Sequence, residues 1–318
     1  MTDKPPNRVK VKAPATTANL GPGFDVFGLA LNIFHDTIET QLTNKNITIK
    51  ISGEHANTIP TDPQQNTAGI VAKHFTKKTG TDKGIEIKIK KGIKPGCGLG
   101  SSGATAAGTA IALNHLLKTN YTKMELISIA AQGEKASAGT AHADNVAAAI
   151  LGNFTIIRSY KPLDVINLPT PKNLEIAVAI PELPTPPKKT KMARSILPNT
   201  VKRSQMVYNI GHASTLIAGI TLSNINLIGK GMSDCVIEPV RAQLIPGYEK
   251  VRKNALKTGA AGVAISGAGP TMIAAVDASK VDTLTVAKAM AEAFEREGVK
   301  AKAYRTQPCG GAKILGEG

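Results

Sequence analysis

Pro95-Gly-Cys-Gly-Leu-Gly-Ser-Ser-Gly-Ala104 is the stretch that decides how this 318-residue chain folds. Before it, Ile85, Ile87 and Ile89 alternate with Glu86, Lys88 and Lys90, the period of a half-buried strand. After it, an Ala-rich run from Ala104 to Leu117 is apolar nearly all round, as a buried helix must be. Glycines between a strand and a helix let backbone approach a ligand closely. The helix start then offers free N–H groups and a positive dipole end to an anion. Ser101 and Ser102 add hydroxyls suited to phosphate or to a magnesium-bound oxygen. The stretch reads as a phosphate site; the bland alternative is a tight turn that packs the helix.

Gly98, Gly100 and Gly103 satisfy G-x-G-x-x-G, but that match alone is weak. A dinucleotide loop expects the strand to enter the first glycine directly, with an acid about 20 residues on. Here residues 92–96 intervene, and Glu125 belongs to a capping box with Thr122 that opens a further helix through about Lys135. A P-loop needs Gly-Lys-Ser/Thr, which is missing. Working outward, Val9, Val11 and Ala13 and then Ile47, Ile49 and Ile51 give two more alternating strands. With 85–90 they carry the signature of antiparallel strands with one wet face. Asn66 caps a predicted helix to Thr79, with Gly80 past its end. Strands are predicted at 153–158, 174–180, 262–266 and 271–276, two helices between 200 and 227, and one over 281–297. Four prolines within Pro181–Pro187 predict a loop. This mixture lacks strict βαβ alternation and indicates an α+β fold.

Lys and Arg exceed Asp and Glu by 39 to 23, a formal charge of +16. The excess suits nucleic acid, an acidic membrane surface, an anionic small ligand, or merely a solvated basic surface. Aromatics are 3% with no Trp, which argues against a single-strand binder that stacks bases. Cys97, Cys235 and Cys309 are too few and too scattered for a disulfide framework or a zinc site. No signal core opens the chain and no run approaches a membrane span. A soluble, reduced, cytoplasmic protein without membrane or nucleic-acid partner is expected.

Pro95-x-x-Gly98-Leu-Gly-Ser-Ser102 resembles the nucleotide loop of the GHMP kinase superfamily. Ala13-Pro-Ala-Thr-Thr-Ala-Asn-Leu-Gly-Pro-Gly-Phe-Asp25 resembles its first motif and Ile265-Ser-Gly-Ala-Gly-Pro-Thr271 its third. Within the superfamily, the Ala18–Asp25 part, His142-Ala-Asp-Asn145 and Glu238-Pro-Val-Arg241 are most similar to the homoserine kinases. The resemblance covers nearly the whole chain. Gly103 departs from it, because Ala is usual there, and is expected to loosen the helix start.

The resemblance implies two lobes, a ribosomal-S5-like N-terminal one over 1–165 and a ferredoxin-like one over 166–318, with the site between them. It implies ATP and Mg2+, homoserine as the small-molecule substrate, a homodimer and a place in threonine biosynthesis. Pro95, Gly96, Cys97, Gly98, Leu99, Gly100, Ser101, Ser102, Gly103, Ala104 and Thr105 would cradle the nucleotide, with Ser102 and Glu134 on the metal. Arg194 and Arg241, with Thr190 beside them, would take the carboxylate, since a guanidinium fork matches it. Asp144 would meet the ammonium, and Asn19 and Asn145 the reacting hydroxyl. Asp25, His142 and Gly267 complete the substrate set. Related sugar and isoprenoid kinases carry Lys and Asp at the two Asn positions. An amide is no general base at neutral pH, so the chemistry would rest on positioning and charge. Taken singly, each residue has an ordinary reading: surface Arg, helix-capping Asp or Asn, structural His, solvated Glu. The alternatives are another small-molecule GHMP kinase, for mevalonate or shikimate, and a non-catalytic basic binding protein on the same fold.

Overall fold

The computed structural model describes residues 7–134, 142–184, 186 and 189–318. The chain opens with β1 (Arg8–Asn19), β2 (Gly23–Thr43) and β3 (Ile47–Ser52), then α1 (Thr67–Thr79) and β4 (Gly84–Lys90). Helices α2 (Ser101–Leu116), α3 (Lys123–Gly133) and α4 (Asp144–Leu151) lead to β5 (Phe154–Tyr160), β6 (Leu163–Leu168) and β7 (Leu174–Pro181). Five helices follow: α5 (Lys189–Ser195), α6 (Arg203–Thr221), α7 (Ile225–Gly231), α8 (Glu238–Ala242) and α9 (Tyr248–Lys257). The end is β8 (Gly262–Ile265), β9 (Met272–Asp277), α10 (Thr283–Glu295), β10 (Ala301–Thr306) and β11 (Lys313–Glu317).

Seven strands form the first sheet. Its main path is β11-β1-β2-β4-β3, and β5 pairs with β2 and β6. β1 and β2 run antiparallel through most of their length, with register shifts at Pro14/Ala15 and Ala18/Asn19. Pro14 has no N–H to give the ladder, so a break beside it is expected. The two alternating strands 47–52 and 85–90 are not antiparallel to each other: β3 and β4 pair in parallel, Ile47 opposite Ile85. The cause is the helix between them, since α1 is a crossover that returns the chain in the same direction. The Asn66 carboxamide caps α1 by accepting from Ala68 N–H at 2.9 Å, and Gly80 ends it at φ +68°. Thr122 and Glu125 form the expected capping box of α3; Lys135 lies outside the described residues.

Helix α2 packs on β1 and β2 and is flanked by α1, α3 and α4. A helix enclosed on every side needs small residues, hence its buried Gly103, Ala104, Ala106, Ala107, Gly108 and Ala110. The second sheet, β10-β7-β9-β8, is antiparallel throughout. Its core gathers Val251 of α9 and Val286, Met290 and Phe294 of α10 against Ala177, Ala274 and Val276 of the strands. The loop between β4 and α2 meets the β8–β9 turn, and a cleft opens beside that junction. Among the described residues no helix is long and apolar enough to cross a membrane. Cys97, Cys235 and Cys309 are free thiols.

Candidate active site

Three distant segments are stitched together at the junction. Thr16 N–H donates to Leu99 C=O, Gly267 N–H to Ala18 C=O and Thr271 N–H to Cys97 C=O. The Ser266 hydroxyl donates to Gly98 C=O at 2.7 Å and lies 2.8 Å from the Thr17 hydroxyl. Gly98 (φ +97°) allows this approach, because a Cβ there would overlap the Ser266 carbonyl. Gly100 (φ +64°) does the same toward β1, where a Cβ would overlap the Thr16 hydroxyl.

The cleft is about 890 Å³. Of the residues expected at the nucleotide, Pro95, Gly96, Gly98, Gly100, Ser101, Ser102 and Thr105 line it. Cys97, Leu99, Gly103 and Ala104 do not; they are buried behind the loop as packing. Glu134, at the end of α3, and Asn145, Thr190 and Gly267 also face it, as do Asn66 and Lys94. The Ser102 hydroxyl donates to Glu134 Oε2 at 3.0 Å, so the two expected metal ligands are neighbours.

Beneath the loop lies a network with no local sequence signal. Lys91, 5% exposed, donates to Asp36 Oδ2, to Ser101 C=O at 3.1 Å and to Thr105 Oγ1 at 3.0 Å. Asp36 Oδ1 in turn accepts from Gly92 and Ile93 N–H. A buried ion pair with its remaining polar atoms satisfied is costly to break from one side. It therefore pins the start of α2. Asp36 sits mid-strand and Lys91 just past another strand, so only the β2–β4 register brings them together.

Beside the cleft is a second, charged cluster, joined to it through Asn145 and Gly267. The Asn145 carboxamide accepts from the Thr16 hydroxyl at 2.8 Å, while its Nδ2 and the Asn145 backbone N–H donate to Asp144 Oδ1. Asn19 Nδ2 donates to Gly267 C=O at 3.0 Å, and Arg241 NH1 to the same oxygen at 2.9 Å. Arg194 grips Asp25 at 2.6 and 2.8 Å, with His142 Nδ1 3.5 Å from the same carboxylate. Both guanidiniums lie over the Phe24 ring, 4.8 and 5.0 Å from its centroid. Asn19, Leu20 and Asp25 all have positive φ, a backbone arrangement that must be held by its surroundings. Tyr160 helps hold it by donating to Asp25 C=O at 2.7 Å.

Burial sets the electrostatics here. Arg241 is 4% exposed, its Nε has no hydrogen-bond partner, and Arg194 Nε is likewise buried and unpartnered. Burial and the neighbouring Arg194 pull Arg241 down to about 10. Asp144 is 4% exposed, and burial, with Asp25 nearby, pushes its carboxyl up to about 6. Burial also lowers the His142 imidazole. Behind Arg241, the Tyr248 hydroxyl donates to Glu238 Oε1 at 2.5 Å, and burial raises Glu238 to about 7. Asp234 holds the entry to α8 by accepting from Val236, Ile237 and Glu238 N–H. Glu238 opens the Glu238–Arg241 motif without a role of its own there, and Asp234 lies outside every motif; both act through the helix that carries Arg241.

Gly103 has a role other than loosening the helix. A Cβ there would lie 2.9 Å from Asn145 Cβ. The bare backbone lets α4 come close enough to bring Asn145 to the cleft.

A phosphate-type cleft joined to a pocket of paired arginines and a buried acid is the site of a small-molecule kinase. The model of the GHMP kinases N terminal domain matches residues 66–153, and that of the GHMP kinases C terminal domain residues 216–300. The homoserine kinase of Methanococcus maripaludis is 47% identical over 84% of this chain and 87% of its own length. That of Haloarcula marismortui is 42% identical over 96% and 99%. Among solved structures, the homoserine kinase from Cytophaga hutchinsonii superposes with a TM-score of 0.91, at 36% identity over 99% of both chains. The chain belongs to the GHMP kinases and, within them, to the homoserine kinase family.

Proposed function

We propose that the chain transfers the γ-phosphoryl group of ATP to the side-chain hydroxyl of L-homoserine, giving O-phospho-L-homoserine and ADP for threonine biosynthesis. The carrying observation is Arg241, a buried guanidinium that, among the described residues, hydrogen-bonds only to a carbonyl and whose Nε is unpartnered there. Such a group calls for an anion. Arg194 beside it makes the pair a seat for a carboxylate, and buried Asp144 suits an ammonium. An amino acid offers both, whereas mevalonate and shikimate have no ammonium for Asp144.

In this reading Asn19 and Asn145 hold the substrate hydroxyl at the boundary of the two pockets. Its oxygen bonds to the γ-phosphorus as the bond to the β-phosphate oxygen breaks. The proton leaves to a phosphoryl oxygen or to water, since neither amide accepts it. A loose transition state demands little of a base and much of positioning and charge. The N–H groups at the start of α2 and the glycine turns receive the phosphates. Ser102 and Glu134 fit a magnesium ion: they are adjacent hard oxygen donors, and this ion takes few protein ligands beside phosphate and water. When bound, it would neutralise charge on the β- and γ-phosphates. We place the lobe division near residue 165, with the end of β6 and the returning β11 kept on the first lobe. A cytoplasmic homodimer is part of the same reading.

The test is ADP release with homoserine, mevalonate, shikimate and threonine in parallel. Homoserine should be preferred by at least about 100-fold in kcat/KM, the scale for a site whose buried polar groups are left unpaired by the wrong substrate. Equal turnover of mevalonate would overturn the assignment. An acidic limb in kcat that Asn145→Ala abolishes would overturn the base-free transfer.

A further inference from the structure

Lys189 opens α5 directly after the proline-rich segment and lines the cleft. Its ammonium reaches two loops at once. It donates to Gly96 C=O of the glycine loop at 3.0 Å, and to Ala268 C=O at 3.3 Å and Gly269 C=O of the β8–β9 turn. The three partners are neutral carbonyls, so nothing in this set cancels the charge. A part-buried cation held this way is costly by itself and is repaid by an anion in the cleft. No motif pointed to it: from the sequence it is one lysine of a basic run.

We propose that Lys189 is a positioning residue that spans the two glycine turns, fixes the width of the phosphate end of the cleft, and couples nucleotide binding to its own charge. The inference rests on the ATP-binding reading of that cleft. The protonated amine supplies three donors and a positive charge; the neutral amine supplies two donors and no charge. Burial draws its pKa down to about 8. The groups that act on it are the Cys97 thiol on the glycine loop, which burial keeps protonated, and the Arg241 guanidinium on α8. Residues 266–270 bring no titratable group. A polyanion entering the cleft favours the charged amine. Binding therefore draws a proton from solution when the pH is near or above 8.

The test is calorimetric titration of the full chain with ATP at pH 8.5, in buffers of different ionisation heat, beside affinities at pH 7 and pH 9.5. The wild type should take up a fraction of a proton per ATP bound, and Lys189→Met and Lys189→Arg none. At pH 7, Lys189→Met should bind ATP about tenfold more weakly, the scale of one lost charge-assisted contact, and Lys189→Arg should stay within about threefold. The wild-type advantage over Lys189→Met should shrink toward pH 9.5. Unchanged affinity and proton uptake in Lys189→Met would overturn the proposal. So would zero uptake by the wild type. If Lys189→Met fails to fold, Lys189→Arg decides alone: persistent uptake places the titrating group elsewhere. Failure of the wild type to bind ATP would instead strike the cleft reading itself.

Discussion

The two ends of the site are built by different means. The end proposed for the phosphates is backbone from two short continuous turns, 95–102 and 266–269, shaped by glycines at positive φ. The end proposed for homoserine is side chains from β2, α4, α5 and α8, positioned by buried charge. Backbone N–H groups recognise any phosphate chain, so glycine geometry suffices there. One particular amino acid needs cations and an anion in fixed places, and these must be assembled from across the fold.

If the ends are separable, changing a charge at one should spare the other. Arg241→Leu should lower kcat/KM for homoserine roughly 100-fold, mostly through KM, at about 1.5–3 kcal/mol for a charge-assisted bond. The KM for ATP should stay within about threefold. Steady-state kinetics varying each substrate in turn reads this directly, and an equal loss for ATP would break the division. Gly100→Ala should cross the division. Its Cβ would overlap Thr16, whose hydroxyl holds Asn145, and lie 2.8 Å from Asn145 Oδ1. We expect kcat to fall about 30-fold, equal to about 2 kcal/mol of strain and displacement, with both KM values disturbed.

The same contrast explains what was legible beforehand. Turn chemistry and periodicity are local, so the glycine loop, the caps at Asn66 and Thr122 and the alternating strands could all be read from neighbouring residues. The parallel pairing of β3 with β4 could not, because alternation reports a wet face and not strand direction. The 21-residue β2 was also missed; its Gly, Asn and His-Asp positions interrupt any simple alternation. The motifs singled out Asp144, Arg194 and Arg241, and gave no role to the Phe24 ring that both guanidiniums contact. Nor did they reveal Lys91–Asp36 or Glu238–Tyr248, which exist only through long-range packing. Lys189 is legible in the sequence only as one of the basic cluster 188–194 on the substrate side; its bridge between two turns exists only in the fold.

Proton titration sharpens the homoserine end further. Asp144 titrates near 6, so it is ionised at pH 7 and neutral at pH 5. Only the ionised form pairs with an ammonium. The KM for homoserine should rise about tenfold from pH 7 to pH 5, one protonation per site, while the KM for ATP should not follow the same titration. In the empty fold the sign is reversed. There the raised pKa favours the protonated acid, so this group's contribution to stability falls as the pH rises from its ordinary value of 3.8 to about 6. Asp144→Asn should flatten the pH dependence of the homoserine KM.

The smallest expected effect tests the seam between the ends. Gly103 lies in the first turn of α2, directly after the glycine loop, and its missing Cβ makes room for Asn145 on α4. Gly103→Ala removes helix-weakening glycine, which by propensity alone stabilises by about 0.8–1 kcal/mol. Its new methyl meets a Cβ at 2.9 Å, with the Asn145 backbone carbon at 3.3 Å, so α4 must give by a few tenths of an ångström. Asn145 moves with it, and near-attack geometry is sensitive to such shifts. We expect kcat to fall about threefold, with the KM for ATP unchanged and the melting temperature equal or higher. That combination, better folded and slower, would show that Gly103 sets the position of Asn145. A variant as fast as the parent would show that α2 and α4 separate freely, and that the two ends of the site tolerate more relative motion than their shared residues suggest.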